Sequence, residues 1–136
     1  MPMQLEALPH RHVVTLPAEP SAVRLARETA EQALVEWEID LHRPVVDVAL
    51  LILSELVTNS VRHAAELSPQ IMVVYAASGS RLAFAVHDRH PHQPPLDEAG
   101  TGGGLGTVME LTRQFGGTAA VHGDAEGKAV WIILPL

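Results

Sequence analysis

Apolar residues recur along this chain at two different spacings, and the changes of spacing mark its elements. Val23, Ala26, Ala30, Ala33, Leu34 and Trp37 stand three and four residues apart, the period that aligns one face of a helix. Pro20-Ser21 precedes them, and Ser21 is expected as the N-cap. A second helical stretch, from Val46 to about Ala65, is apolar at Val46, Leu50, Leu53, Val57 and Val61, and Leu51, Ile52 and Leu56 widen the stripe. Such width predicts a central, largely buried helix. From Ser68-Pro69 the period becomes two. Ile71 to Tyr75 and then Leu82, Phe84 and Val86, on either side of Ser78-Gly79-Ser80, predict a hairpin.

Helical spacing returns at Leu105, Val108, Met109, Leu111 and Phe115 and is stopped by Gly116-Gly117. Thr118 to His122 and Lys128 to Leu134 predict a second hairpin. At the other end, His12 to Leu16, closed by Pro17, predicts an edge strand after an aperiodic tail over residues 1–11. The order strand, helix, helix, strand, strand, long loop, helix, strand, strand cannot be an alternating βαβ wind. It predicts an α+β two-layer sandwich, a sheet with its helices on one face. Asp88 to Gly104 is too long for an ordinary connection, and loops of that length carry function or are disordered.

The 136 residues suit one domain, spanning residues 12–136, with a core large enough to need no staples. Zero cysteines exclude a disulfide scaffold, a thiolate metal site and a thiol nucleophile. A net charge of -7 argues against a nucleic-acid-coating surface and a polybasic membrane patch. Val45 to Leu53, interrupted by Asp47, is short for a membrane span, and the N-terminal residues lack a signal-peptide pattern. A cytoplasmic location is expected.

Three features carry candidate chemistry. The run Gly100-Thr-Gly-Gly-Gly-Leu-Gly106 opens a helix, where backbone N–H groups and the helix's positive end can cradle phosphates. It fits neither the dinucleotide nor the P-loop register. Glu55, Asn59, Arg62, His63 and Glu66 form a polar stripe on the second helix. A carboxylate and an amide one turn apart suit Mg²⁺ ligation and proton acceptance beside a phosphate chain. The bland alternative is a solvent-facing stripe. Asp88, at the end of a strand, can accept a hydrogen bond from an adenine amino group and would repel the guanine carbonyl; in isolation an Asp after a strand is more often a turn former.

Taken together, these segments resemble one superfamily. Ser54-Glu-Leu-Val-Thr-Asn-Ser-Val-Arg-His63 resembles the N-box of the GHKL ATP-binding proteins, Ala85-Val-His-Asp88 their first glycine-box strand and aspartate, and Gly102-Gly-Gly-Leu-Gly106 their second glycine box. With Lys128 to Pro135, the resemblance covers nearly the whole chain from residue 12, and it is greatest to stand-alone anti-sigma-factor serine kinases of the RsbW type. It implies a Bergerat fold with a mixed sheet, a lid over about residues 89–103, and ATP with Mg²⁺ as ligands. It implies Glu55 as catalytic base, Asn59 as Mg²⁺ ligand, Asp88 as adenine reader, and Gly102, Gly104, Leu105 and Gly106 at the phosphates. It implies a STAS-domain antagonist as phosphoacceptor, a sigma factor as competing partner, and a homodimer as an oligomeric state the family allows. The alternative is a module that binds ATP without turnover. The chain departs from the family at Asp88-Arg89-His90-Pro91, where a Gly or Ser is usual two residues after the aspartate.

Other residues are expected to be structural. His87, His90 and His92 are read as lid residues in preference to a zinc site, His63 as a packing residue, Trp37 and Trp131 as partly buried anchors, and Lys128, the only lysine, as a solvated hairpin position.

Overall fold

A computed structural model of the chain describes residues 8–64, 69–89, 104–124 and 127–136. The element order is β1 (His10–Pro17), α1 (Ser21–Glu36), α2 (Pro44–Ala64), β2 (Gln70–Ala77), β3 (Arg81–Asp88), α3 (Gly104–Gln114), β4 (Thr118–Asp124) and β5 (Gly127–Pro135). Every element that the hydrophobic spacing predicts is present. The strands form one sheet in the order β1-β2-β3-β5-β4.

Period-two alternation sorts the strand residues onto two faces. Leu16, Ile71, Val73, Tyr75, Leu82, Phe84, Val86, Val130, Ile132 and Leu134 face the helices and share one core with Ala22, Ala26, Ala30 and Leu34 of α1, Val46, Ile52, Leu53, Leu56 and Val57 of α2, and Val108 of α3. The other face holds only a small cluster, in which Leu8 covers Val74, Ala76, Ala83 and Ala85 beside half-buried Trp131 and Ile133. The two-layer α+β sandwich with helices on one face is therefore the observed architecture. Alanines along the buried side of α1 let the helix approach the sheet closely enough for the Tyr75 hydroxyl to donate to the Ala26 carbonyl at 2.9 Å. Burial without a charged partner pushes the Tyr75 phenol well above its ordinary range.

Three local expectations are corrected. The sheet is not mixed, because all four ladders are antiparallel. Two helices between β1 and β2 carry the chain across the helical layer twice, so β2 enters from the end at which β1 left. The single helix after β3 would make its next strand parallel, but β5, the return arm of the following hairpin, is the strand that lies beside β3. Ser21 is the first residue of α1 and not its cap; Pro20 occupies the cap position with no side-chain bond. Finally, α2 does have the length and mean hydropathy of a membrane span, 1.6 over Pro44–Arg62. Half of that window is buried inside the domain, because the helix packs against α1, α3 and the sheet at once and is apolar on several sides for that reason.

The helix ends are closed by matching devices. At α3, Gly116 takes φ 75, with Gly117 N–H donating to the Thr112 carbonyl and Gly116 N–H to that of Arg113, as the Gly116-Gly117 pair predicts. At α1 the same double bond pattern runs from Ile39 to Leu34 and from Glu38 to Val35. Here the left-handed position is held by an exposed glutamate, Glu38, at φ 61. An L side chain is strained in that conformation and glycine is not. Glu38→Gly is expected to stabilise the fold by about 0.5 to 1 kcal/mol, the relief of strain less the added chain entropy of glycine. Urea unfolding checks this as a raised midpoint with unchanged slope.

Candidate functional site

Helix α2 packs against β3 and α3, and its second half meets the end of β3 through Ser60 and Asp88, which brings two of the three chemical segments together. Glu55 and Asn59 are both half-buried, so this part of the polar stripe is not a solvated surface; Arg62, one turn on, is exposed. The Asn59 amide nitrogen Nδ2 is buried and has no hydrogen-bond partner, one of two such side-chain atoms among the described residues, with Trp131 Nε1. Buried amides are ordinarily paired. The Nδ2 group left incomplete here has N–H donors to offer an acceptor.

Ser60, the next residue, is buried and reaches across to β3, its hydroxyl donating to Asp88 Oδ2 at 2.8 Å. Asp88 is the last residue of β3 and only 1% exposed. It follows Leu82, Phe84 and Val86 in the alternation and so points into the helix-facing side. Directly opposite in register stands Lys128 of β5, 9% exposed. Its ammonium donates to Asp88 Oδ1 at 2.9 Å and to Oδ2 at 2.8 Å. The expectation that Lys128 is a solvated hairpin residue is thus overturned. The alternation already carried the signal, since residue 128 is in phase with buried Val130, Ile132 and Leu134. Ser60 was also passed over, although it adjoins Asn59 in the motif.

The start of β5 is shaped to permit this pairing. Gly127 has φ 136, and a Cβ there would collide with the Asp88 carbonyl oxygen and lie 2.7 Å from Arg89 Cα. Only glycine lets the strand lie this close to the backbone of residue 88.

The third segment enters through α3. Gly104 and Gly106 stand in its first turn, where backbone N–H groups have no intrahelical acceptor. Gly102 and the lid at residues 90–103 lie outside the described residues, as does the Leu105 side chain. Within the zinc alternative, His87 is half-buried on the sheet face opposite Asp88, while His90 and His92 fall outside the described residues. No group of three or more His, Asp or Glu able to hold a metal occurs among the described residues. A Mg²⁺ ion asks for less. It is commonly held by one or two protein oxygens together with water and phosphate; the side-chain oxygen of half-buried Asn59 is a ligand of that type, while its orphaned Nδ2 is a donor that suits an anionic oxygen.

The family described as histidine kinase-like ATPase domain matches residues 16–134. Among solved structures, the chain is similar to the RsbU and RsbW domains of Rv1364c from Mycobacterium tuberculosis, with 22% identity and a TM-score of 0.67, covering 93% of this chain and 33% of that one. It is also similar to the histidine kinase domain of the Erythrobacter litoralis EL346 blue-light activated histidine kinase, with 18% identity and a TM-score of 0.50, covering 89% of this chain and 62% of that one. The chain spans less than two thirds of either neighbour, and at these identities the likeness is one of fold. Comparison with curated proteins gives no significant match.

The ion pair yields a direct test of how the site is held. Removing one member of a buried pair strands the other charge, so Asp88→Ala is expected to cost about 3 to 5 kcal/mol in chemical unfolding. The apolar double variant Asp88→Leu/Lys128→Met is expected to cost less than either single change, and a double-mutant cycle measures the coupling. Gly127→Ala is expected to cost more than about 1 kcal/mol, as substitutions at incompatible backbone positions do.

Proposed function

Because the chain belongs to the histidine kinase-like ATPase domain family, we propose that it is a Mg-ATP-dependent regulatory protein serine/threonine kinase of the anti-sigma-factor type. The observation that carries this reading is the Ser60–Asp88 bond, which joins the Glu55–Asn59 stripe of α2 to a buried carboxylate at the end of β3. A polar stripe for phosphates and metal and a carboxylate suited to a base amino group are thereby tied into one unit. The α+β likeness to a chain that includes an RsbW domain supports the choice among ATPase types.

In this reading Asp88 accepts from the adenine amino group. Asn59 would hold Mg²⁺ through Oδ1 and donate to a phosphate oxygen through Nδ2, the ion supplying charge neutralisation along the phosphates. Gly102, Gly104, Leu105 and Gly106 bring backbone donors of the loop and of the α3 N-terminus to the phosphate chain. Glu55 takes the proton from the acceptor serine hydroxyl. As the serine oxygen forms its bond to the γ-phosphorus, the bond to the β,γ-bridging oxygen breaks and ADP leaves. The acceptor is proposed to be a serine of a STAS-type antagonist, with a sigma factor as the alternative partner and the cytoplasm as the location. A net charge of -7 is compatible with a basic partner surface.

Calorimetric titration is expected to show ATP binding that depends on Mg²⁺ and is weaker with GTP; no heat with ATP at millimolar concentration would refute the assignment. Asp88→Asn is expected to weaken ATP by about 1 to 3 kcal/mol, and Asn59→Ala to abolish the Mg²⁺ dependence. Glu55→Gln keeps the shape of the side chain and removes the base, so transfer to a captured partner should fall by roughly two to four orders of magnitude at unchanged ATP affinity. Phosphosite mapping on proteins captured with ATP and with ADP checks the partner: a set with neither a STAS domain nor a sigma factor, and with no Glu55-dependent phosphorylation, refutes it.

A further inference from the structure

Lys128 holds more hydrogen-bonding capacity than its ion pair uses. An ammonium has three N–H donors, and two are directed at the Asp88 oxygens at 2.9 and 2.8 Å. The third has no acceptor among the described residues. On its β4 side the register partner is Gly123, which has no side chain to supply one. A side chain that is 9% exposed has little access to bulk water, and a charged donor left unpaired in such a place is costly. Among the described residues the ammonium is therefore short of one acceptor, and a ligand atom that supplies it would lie immediately beside the Asp88 carboxylate, because the other two donors fix the ammonium there.

We propose that Lys128 is a base-reading residue, donating its third N–H to ring nitrogen N1 of adenine while Asp88 accepts from the 6-amino group. This inference rests on the ATP reading above and specifies how the base is recognised. The chemistry matches in kind and in spacing. On adenine, the donor amino nitrogen and the acceptor N1 are attached to the same ring carbon; on the protein, the acceptor carboxylate and the donor ammonium are in direct contact at 2.8 Å. One edge of the base can thus meet both groups. Guanine offers a carbonyl oxygen and an N–H in the reverse order. Lys128 in this role makes the carboxylate and ammonium a two-point reader, where Asp88 alone would test only the amino group.

The test compares ATP with 1-deaza-ATP, in which N1 is replaced by C–H and the amino group is retained, by titration with Mg²⁺ into the wild-type protein and Lys128→Met. Wild type is expected to bind 1-deaza-ATP roughly tenfold or more weakly, the loss that follows when a charged donor is left without its acceptor. In Lys128→Met the two nucleotides are expected to bind within about twofold of each other, since no donor remains to tell them apart. Equal affinities in wild type, or a gap that persists in Lys128→Met, would overturn the proposal while leaving ATP binding intact. Absence of binding by either nucleotide to wild type would overturn the ATP reading and this one with it. The two wild-type titrations decide the question even if Lys128→Met does not fold.

Discussion

A carboxylate that is 99% inaccessible to water has to be compensated by what surrounds it, and much of this structure can be understood as that compensation for Asp88. The opposing strand supplies a full positive charge from Lys128, and the central helix supplies a hydroxyl from Ser60. Three elements far apart in the chain, α2, β3 and β5, are locked to one functional group. Replacing buried ion pairs with apolar residues often stabilises a protein, so cohesion alone does not account for a pair here. The Ser60 bond sets the pair next to Asn59, whose amide nitrogen is the one buried side-chain atom of α2 left unpaired among the described residues.

The central helix shows the same division of labour. The helix α2 packs against α1, α3 and the sheet at once, and half of its apolar window is buried by those contacts. That is why its composition resembles a membrane segment although it is an interior helix of a two-layer domain. Among its polar side chains, Asp47 and Arg62 are exposed, whereas Glu55 and Asn59 are half-buried and Ser60 is buried. Of these groups, the Asn59 amide nitrogen is buried without a partner, an exception to the usual pairing of buried amides.

Much of this was legible in the sequence because periodicity is a direct consequence of burial. Helical and two-residue spacing located every element, since each presents one dominant face to a single core. Ladder direction was not legible, because it depends on which strand of a hairpin lies against β3 and not on any local pattern. Cap identity failed at Ser21 for a related reason: the turn bonds from Ala22 to the Glu19 carbonyl and from Val23 to that of Pro20 start the helix without a side chain. Within the site, Glu55, Asn59 and Asp88 could be nominated from residue type and spacing. Lys128 could not, because lysine type argues for solvent while its phase in the strand argues for the interior. The phase won, since Asp88 waits opposite it.

The register that joins Asp88 to Lys128 also sets the order in which the molecule can become competent. Asp88 is made 40 residues before its counter-ion, and β3 has no neighbour on that side until the last strand docks. A growing chain emerging from the ribosome can form the β2–β3 hairpin early, because that contact is local. It cannot bury Asp88 at low cost until residue 128 has been synthesised and has crossed back over α3. The buried ion pair is thus a late product of folding, and a chain cut short before residue 128 presents the Asp88 carboxylate without its counter-ion.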